Sequence, residues 1–100
     1  MLSYYPPNLD REMGCTEREW LSWLPRAVGA HALTLGAGGA RVAIDGGGTL
    51  ALHWQTLAPR QIALARFPRL AVQFRFEGVA DDARQRFMRS FDLAMQRGGG

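Results

Sequence analysis

Between Ala40 and Glu77 the apolar residues of this chain recur at every second position, and that period limits the fold more than any other feature. Val42 and Ile44 alternate with Arg41, Ala43 and Asp45, and Leu50, Leu52 and Trp54 with Ala51, His53 and Gln55. Ile62 and Leu64 alternate with Gln61, Ala63 and Ala65; Leu70, Val72, Phe74 and Phe76 alternate with Ala71, Gln73, Arg75 and Glu77. Successive side chains of a strand point to opposite faces, so each run predicts a strand with one apolar face. Gly46-Gly47-Gly48 suits a tight hairpin, Ala58-Pro59-Arg60 reads as the turn before the third run, and Pro68 precedes the fourth. Connections this short favour antiparallel neighbours, which gives a four-stranded meander. His31 to Leu35 is a candidate for a further edge strand.

Helical signals bracket the strands. Thr16 with Glu19 three residues later is a capping box, and Cys15 and Trp20 stand at the staple positions around it. Trp20, Leu21, Trp23, Leu24, Ala27 and Val28 follow at helical spacing, with Pro25 predicting a kink or a stop near Leu24. A last helix begins near Asp81 or Asp82, whose carboxylates suit a helix N-terminus, and ends at Arg97 before Gly98. Its apolar face is Ala83, Phe87, Phe91, Ala94 and Met95, with Met88 at the flank; Arg84, Arg86 and Arg89 are placed on its outer face, with Arg89 and Asp92 as an i,i+3 pair. The expected architecture is an α+β two-layer sandwich in the order α-β-β-β-β-α, both helices on the apolar face of the sheet. Residues 1–14, with Pro6-Pro7, read as an extended arm whose tyrosines pack on the domain; 15–97 form one domain, and 98–100 a flexible glycine tail.

One hundred residues at this composition allow a single modest core and leave no room for two catalytic lobes. All 12 basic residues are arginine, which excludes a Schiff-base or P-loop lysine, and against 9 acidic residues they leave a net charge of +3. Ala and Gly together supply 26 residues, so the arginine bias reads as the mark of a GC-rich bacterial genome. A single cysteine, Cys15, has no internal partner, which fits a reducing cytoplasm. The first residues lack the basic and apolar regions of a secretion signal, and no apolar run approaches the length of a membrane span, so a soluble protein is expected.

The motifs that bear on chemistry are short. Gly36-Ala37-Gly38-Gly39-Ala40 has dinucleotide-loop glycines, but a strand follows where that loop must open a helix. Asp45-Gly46-Gly47-Gly48-Thr49 resembles the first phosphate-binding hairpin of the actin and sugar-kinase superfamily, which implies phosphoryl transfer from ATP between two lobes. Each such lobe is about as large as this chain, so the backbone demands of a hairpin account for the glycines. The terminal Arg97-Gly98-Gly99-Gly100 resembles the tail of ubiquitin-like and sulfur-carrier proteins, but there the tail leaves a strand, and here it leaves a helix. The helix-strands-helix order is similar to that of double-stranded-RNA-binding domains, which open their second helix with lysines where this one opens with Asp81-Asp82. Cys15, His31 and His53 fall on separate elements without metal-ligand spacing, and no carboxylates cluster as an acid-base pair. No cofactor and no catalytic residue is assigned.

The second face of the predicted sheet carries the functional signal. Its thirteen positions include five alanines (43, 51, 63, 65 and 71) and three glutamines (55, 61 and 73), where a solvated sheet face usually carries threonine and long charged residues. Small side chains admit another layer at close range. The expectation is a non-enzymatic interaction or assembly module in which Arg41, Ala43, Ala51, His53, Gln55, Ala63, Ala65, Ala71, Gln73 and Arg75 pack on a second copy or a protein partner. The competing expectation is a nucleic-acid contact through Arg84, Arg86 and Arg89; a small-ligand or catalytic domain ranks below both.

Overall fold

A computed structural model describes residues 4–99, with the order β1(Asn8–Met13), α1(Glu17–Val28), β2(Ala32–Gly36), β3(Gly39–Ala43), β4(Thr49–Ile62), β5(Ala65–Glu77) and α2(Asp81–Gly99). The class is α+β, and the sheet is antiparallel with five strands in the order β1-β5-β4-β3-β2. β2 to β5 form the meander, with the edge strand at His31–Leu35 realised as β2. The fifth strand lies in the expected arm: Asn8–Met13 pairs with β5, Leu9 opposite Phe74 and Met13 opposite Leu70. Alternation along β1 is masked in the sequence because Arg11 occupies an inward position between Leu9 and Met13.

Both helices cover one face. α1 links β1 at one edge to β2 at the other and packs on α2. Trp20 of α1 meets Trp54 of β4 edge-on at 5.6 Å between ring centroids and Phe91 of α2 at 6.0 Å. The core around them holds Leu24, Val42, Leu50, Leu52, Leu70, Val72, Phe74, Met88 and Phe91. Thr16 and Glu19 form both bonds of the capping box, and Cys15 and Trp20 are buried at the staple positions. Pro25 does not end α1, which continues to Val28. A proline deletes one bond to the carbonyl four residues back, and burial of Leu24, Ala27 and Val28 on either side holds the last turn. α2 runs two residues past Arg97, through Gly99, and Gly100 lies outside the described residues.

The third and fourth runs of the alternation pair differently from the expected meander. Ala58-Pro59-Arg60 is no turn: β4 is one strand of 14 residues, and the reversal comes at Ala63-Leu64. The register slips between Leu57 and Arg60, a bulge that places Pro59, which lacks an amide, where the ladder is already broken. The bulge reverses the alternation of β4, so Ile62 pairs with Ala65 on the side away from the helices. Ile62 and Leu64 therefore do not join the core, and Leu64 at the tip is 99% exposed. Ala63 lies in the turn rather than on the second face, and Gln61, opposite Arg66, falls on the helix side. The long axis of the molecule, 47 Å, is consistent with a β4–β5 ribbon reaching beyond the body.

The glycine hairpin is structural. Gly48 has φ +87°, and a Cβ there would collide with the backbone carbonyl of Gly78, so β4 enters the sheet against the loop leading to α2.

Candidate interaction surface

The face of the sheet opposite the helices is bare. Cross-strand registers arrange its side chains in rows from β1 to β2: Asn8, Arg75, Ala51, Arg41 and Thr34 in one, Asp10, Gln73, His53 and Gly39 in the next, then Glu12, Ala71 and Gln55. The structure thus brings together Arg41, Ala51, His53, Gln55, Ala71, Gln73 and Arg75, with Ala43 beside Thr49 one row away. Ala65 lies further out on the same face of the ribbon. Of the expected set, only Ala63 leaves it.

Sequence reasoning missed the apolar part. Along β5 the inward set is Leu70, Val72, Phe74 and Phe76, so Arg69, Phe67 and Ala65 point to the open side. The pairs Leu57 with Arg69, Arg60 with Phe67 and Ile62 with Ala65 then put Leu57, Arg60 and Ile62 there too. Leu57, Ile62 and Phe67 prolong the alanine and glutamine rows into a strip that no helix covers. Ile62 and Phe67 are both exposed. The signal that could have shown this is Pro59 inside a strand pattern, which marks a bulge and hence a change of face.

Ion pairs order the β1 side of this surface. Arg75 donates to Asp10 at 2.7 Å, Arg69 donates to Glu12 at 2.7 Å, and Arg60 lies 3.8 Å from Glu12. The Arg69 guanidinium holds the Glu12 carboxyl below its ordinary range. Arg41, on β3, has no carboxylate partner among the described residues.

The arginines expected to meet nucleic acid are not a set. Arg84 does not face outward: it is 6% exposed, its Nε donates to the Tyr5 carbonyl at 2.8 Å, and it pairs with Asp81. Arg86 is exposed and bound to Asp82 at 3.3 Å, and Arg89 is exposed. Asp92 turns inward rather than toward Arg89, taking bonds from Arg11 at 2.7 Å and from the Tyr5 hydroxyl at 2.8 Å. With Gln85 bonded to both backbone groups of Tyr5, this network fastens the segment before β1 to α2.

A concavity of about 370 Å³ opens between the end of α1, the β3–β4 turn and α2. Its floor is Ala27, Val28, Ile44 and Phe87, and its rim includes Arg26, His31, Asp45, Arg86 and Ser90. His31 Nδ1 accepts the Asp45 amide at 3.1 Å, so its ring is tied to the turn. Cys15 is buried, and burial and Glu19 raise its thiol pKa, which makes it a poor nucleophile. Among the described residues no three His, Cys, Asp or Glu side chains are grouped to hold a metal ion, and no helix is long and apolar enough to cross a membrane.

Comparison with protein-family models, with curated proteins and with solved structures finds no match to this chain.

Proposed function

We propose that this protein is a non-enzymatic assembly module that packs the open face of its sheet against a second copy of itself. The observation that carries the reading is the uncovered strip running from Ala51 and Ala71 through Leu57 to Ile62 and Phe67. Alanine is a poor strand former, and its concentration on the uncovered side leaves a shallow surface that another sheet can approach to about 10 Å.

Area supports a second copy. Five strands spaced by about 4.8 Å, each running about 17 Å, together with the ribbon, offer on the order of 600 Å² of flat footprint per copy. Accessible area exceeds a flat footprint, so the surface approaches the roughly 800 Å² per partner of a standard stable interface. Charge does not oppose it: Asp10 and Glu12 on the β1 side are already paired with Arg75, Arg69 and Arg60, which leaves Arg41 on β3 without a carboxylate partner among the described residues. A two-fold axis along the central β4 lays the β1 side of one copy toward the β2–β3 side of the other. A reducing cytoplasm, where the single buried thiol stays free, suits such a module.

Nucleic acid is a poorer occupant. Three arginines of the open side are held by β1 carboxylates, Arg84 is buried, and among the described residues Phe67 is the one aromatic ring on that side besides His53. Sedimentation velocity from about 5 to 500 μM tests the reading. Wild type is expected to associate with concentration, and Ala71→Arg, which adds a long charge at the centre of the face, is expected to weaken association at least about tenfold. A wild-type sedimentation coefficient that stays monomeric to 500 μM, or one that Ala71→Arg leaves unchanged, contradicts it.

A further inference from the structure

We infer that a second copy also pairs along the outer edge of β2, joining two five-stranded sheets into one of ten. This extends the assembly reading with a second interface that uses none of the open-face residues named above except Thr34.

The two edges of the sheet are built differently. β1 is guarded: Pro6-Pro7 precede it, and Asp10, Arg11 and Glu12 are charged. Charge and proline are the usual means by which an edge repels another strand. β2, Ala-Leu-Thr-Leu-Gly, has no charge, no proline and no bulge. Its Leu35 is 53% exposed on the helix side of the sheet.

The hydrogen-bonding groups on that edge can be assigned. The Trp54 amide donates to the Gly38 carbonyl and the Ile44 amide to the Gly48 carbonyl, so even-numbered residues of β3 bond toward β4. Odd-numbered residues 39, 41 and 43 therefore bond toward β2, to their partners Gly36, Thr34 and Ala32. The two-residue turn closing Gly36 on Gly39 gives the same alternation. Leu33 and Leu35 are left with their N–H and C=O directed away from the sheet. These two residues, separated by one, are self-complementary in an antiparallel ladder.

A two-fold axis through Thr34 and normal to the sheet pairs Leu33 with Leu35 of the second copy, and Leu35 with its Leu33, through four backbone hydrogen bonds. Thr34 meets Thr34 of the second copy as a closely spaced, non-hydrogen-bonded pair, an arrangement that favours threonine. Each exposed Leu35 then covers an apolar neighbour. The axis leaves both open faces on one side, so the edge pair presents a doubled platform. The face-to-face axis along β4 does not meet this one, so the two interfaces together build an open row of copies rather than a closed ring.

Native mass spectrometry and amide exchange decide it. The probe variant is Leu35→Pro, which removes an outward amide and leaves the β2–β3 ladder intact, with Leu35→Lys as a second variant. Circular dichroism melts establish that both fold. The expected result is a series of species above two copies that grows with concentration for wild type, two copies for Leu35→Lys, two for Ala71→Arg and one for the double variant. The Leu33 and Leu35 amides are expected to slow in exchange at least about tenfold between 5 and 500 μM. If only the face interface fails, wild type is a dimer that Leu35→Lys alone abolishes. Leu33 and Leu35 amides that exchange equally fast at every concentration, with a mass that both Leu35 variants leave unchanged, overturn the edge pairing.

Discussion

Tyr5 is fully buried, and its hydroxyl donates to Asp92, which also takes Arg11. A buried carboxylate is tolerable here because a guanidinium and a phenol both donate to it. Ionising Tyr5 would remove one donor and set a second anion beside Asp92, so burial and the Asp92 carboxylate push its pKa up to about 12. In the unfolded chain the phenol ionises near 10, and the folded state holds a proton that the unfolded state has released. This contribution to stability is complete below pH 10 and is lost as pH rises through about 12. Urea midpoints at pH 9, 10.5 and 11.5 are expected to fall steeply for wild type and less steeply for Tyr5→Phe. The same variant is expected to cost about 1 kcal/mol at neutral pH, the usual worth of one hydrogen bond. Parallel slopes for the two proteins would remove Tyr5 from the alkaline transition. None of this network was legible in the sequence, because Tyr5, Arg11 and Asp92 are joined only through the β1–β5 pairing and the packing of α2.

At the scale of elements, the ribbon is where pattern and structure part. Alternation located the strands at Val42, Leu50 and Leu70 because each lies on the helix side and follows one period. Alternation alone could not place the bulge, since a bulge is a property of two paired strands; Pro59 inside the pattern was the one mark of it. Reading through it assigns Ile62 and Leu64 to the core, whereas the register turns Ile62 outward and leaves Leu64 at the tip. The open face was legible as composition, in the alanines and glutamines; its apolar extension was not. The turn itself holds Ala63 at φ 54°, a conformation that costs an L-residue roughly 1 kcal/mol and costs glycine little. Ala63→Gly is expected to raise stability, by up to about 1 kcal/mol less the entropy glycine adds to the unfolded chain. A thermal melt that shows Ala63→Gly destabilised by more than that would mean that the turn is not strained.

On the scale of the molecule, the helices cover the central part of one side of the sheet and leave the other side to water. A five-stranded antiparallel sheet can persist with one solvated face, and then that face normally carries long polar side chains. Here the long polar residues are on the β1 side, in pairs that neutralise one another, while the centre is Ala51, His53, Gln55, Ala71 and Gln73 and the ribbon adds Leu57, Ile62 and Phe67. The one thiol, Cys15, is buried, and burial and Glu19 raise its pKa. The most direct measurement is an isotope-filtered NOE experiment on a sample that mixes copies carrying ¹³C-labelled alanine methyls with unlabelled ones. The account predicts intermolecular contacts from the methyls of Ala51, Ala65 and Ala71. Contacts confined to alanines of the helix layer, such as Ala27 and Ala94, or none in a sample at 500 μM, would contradict it.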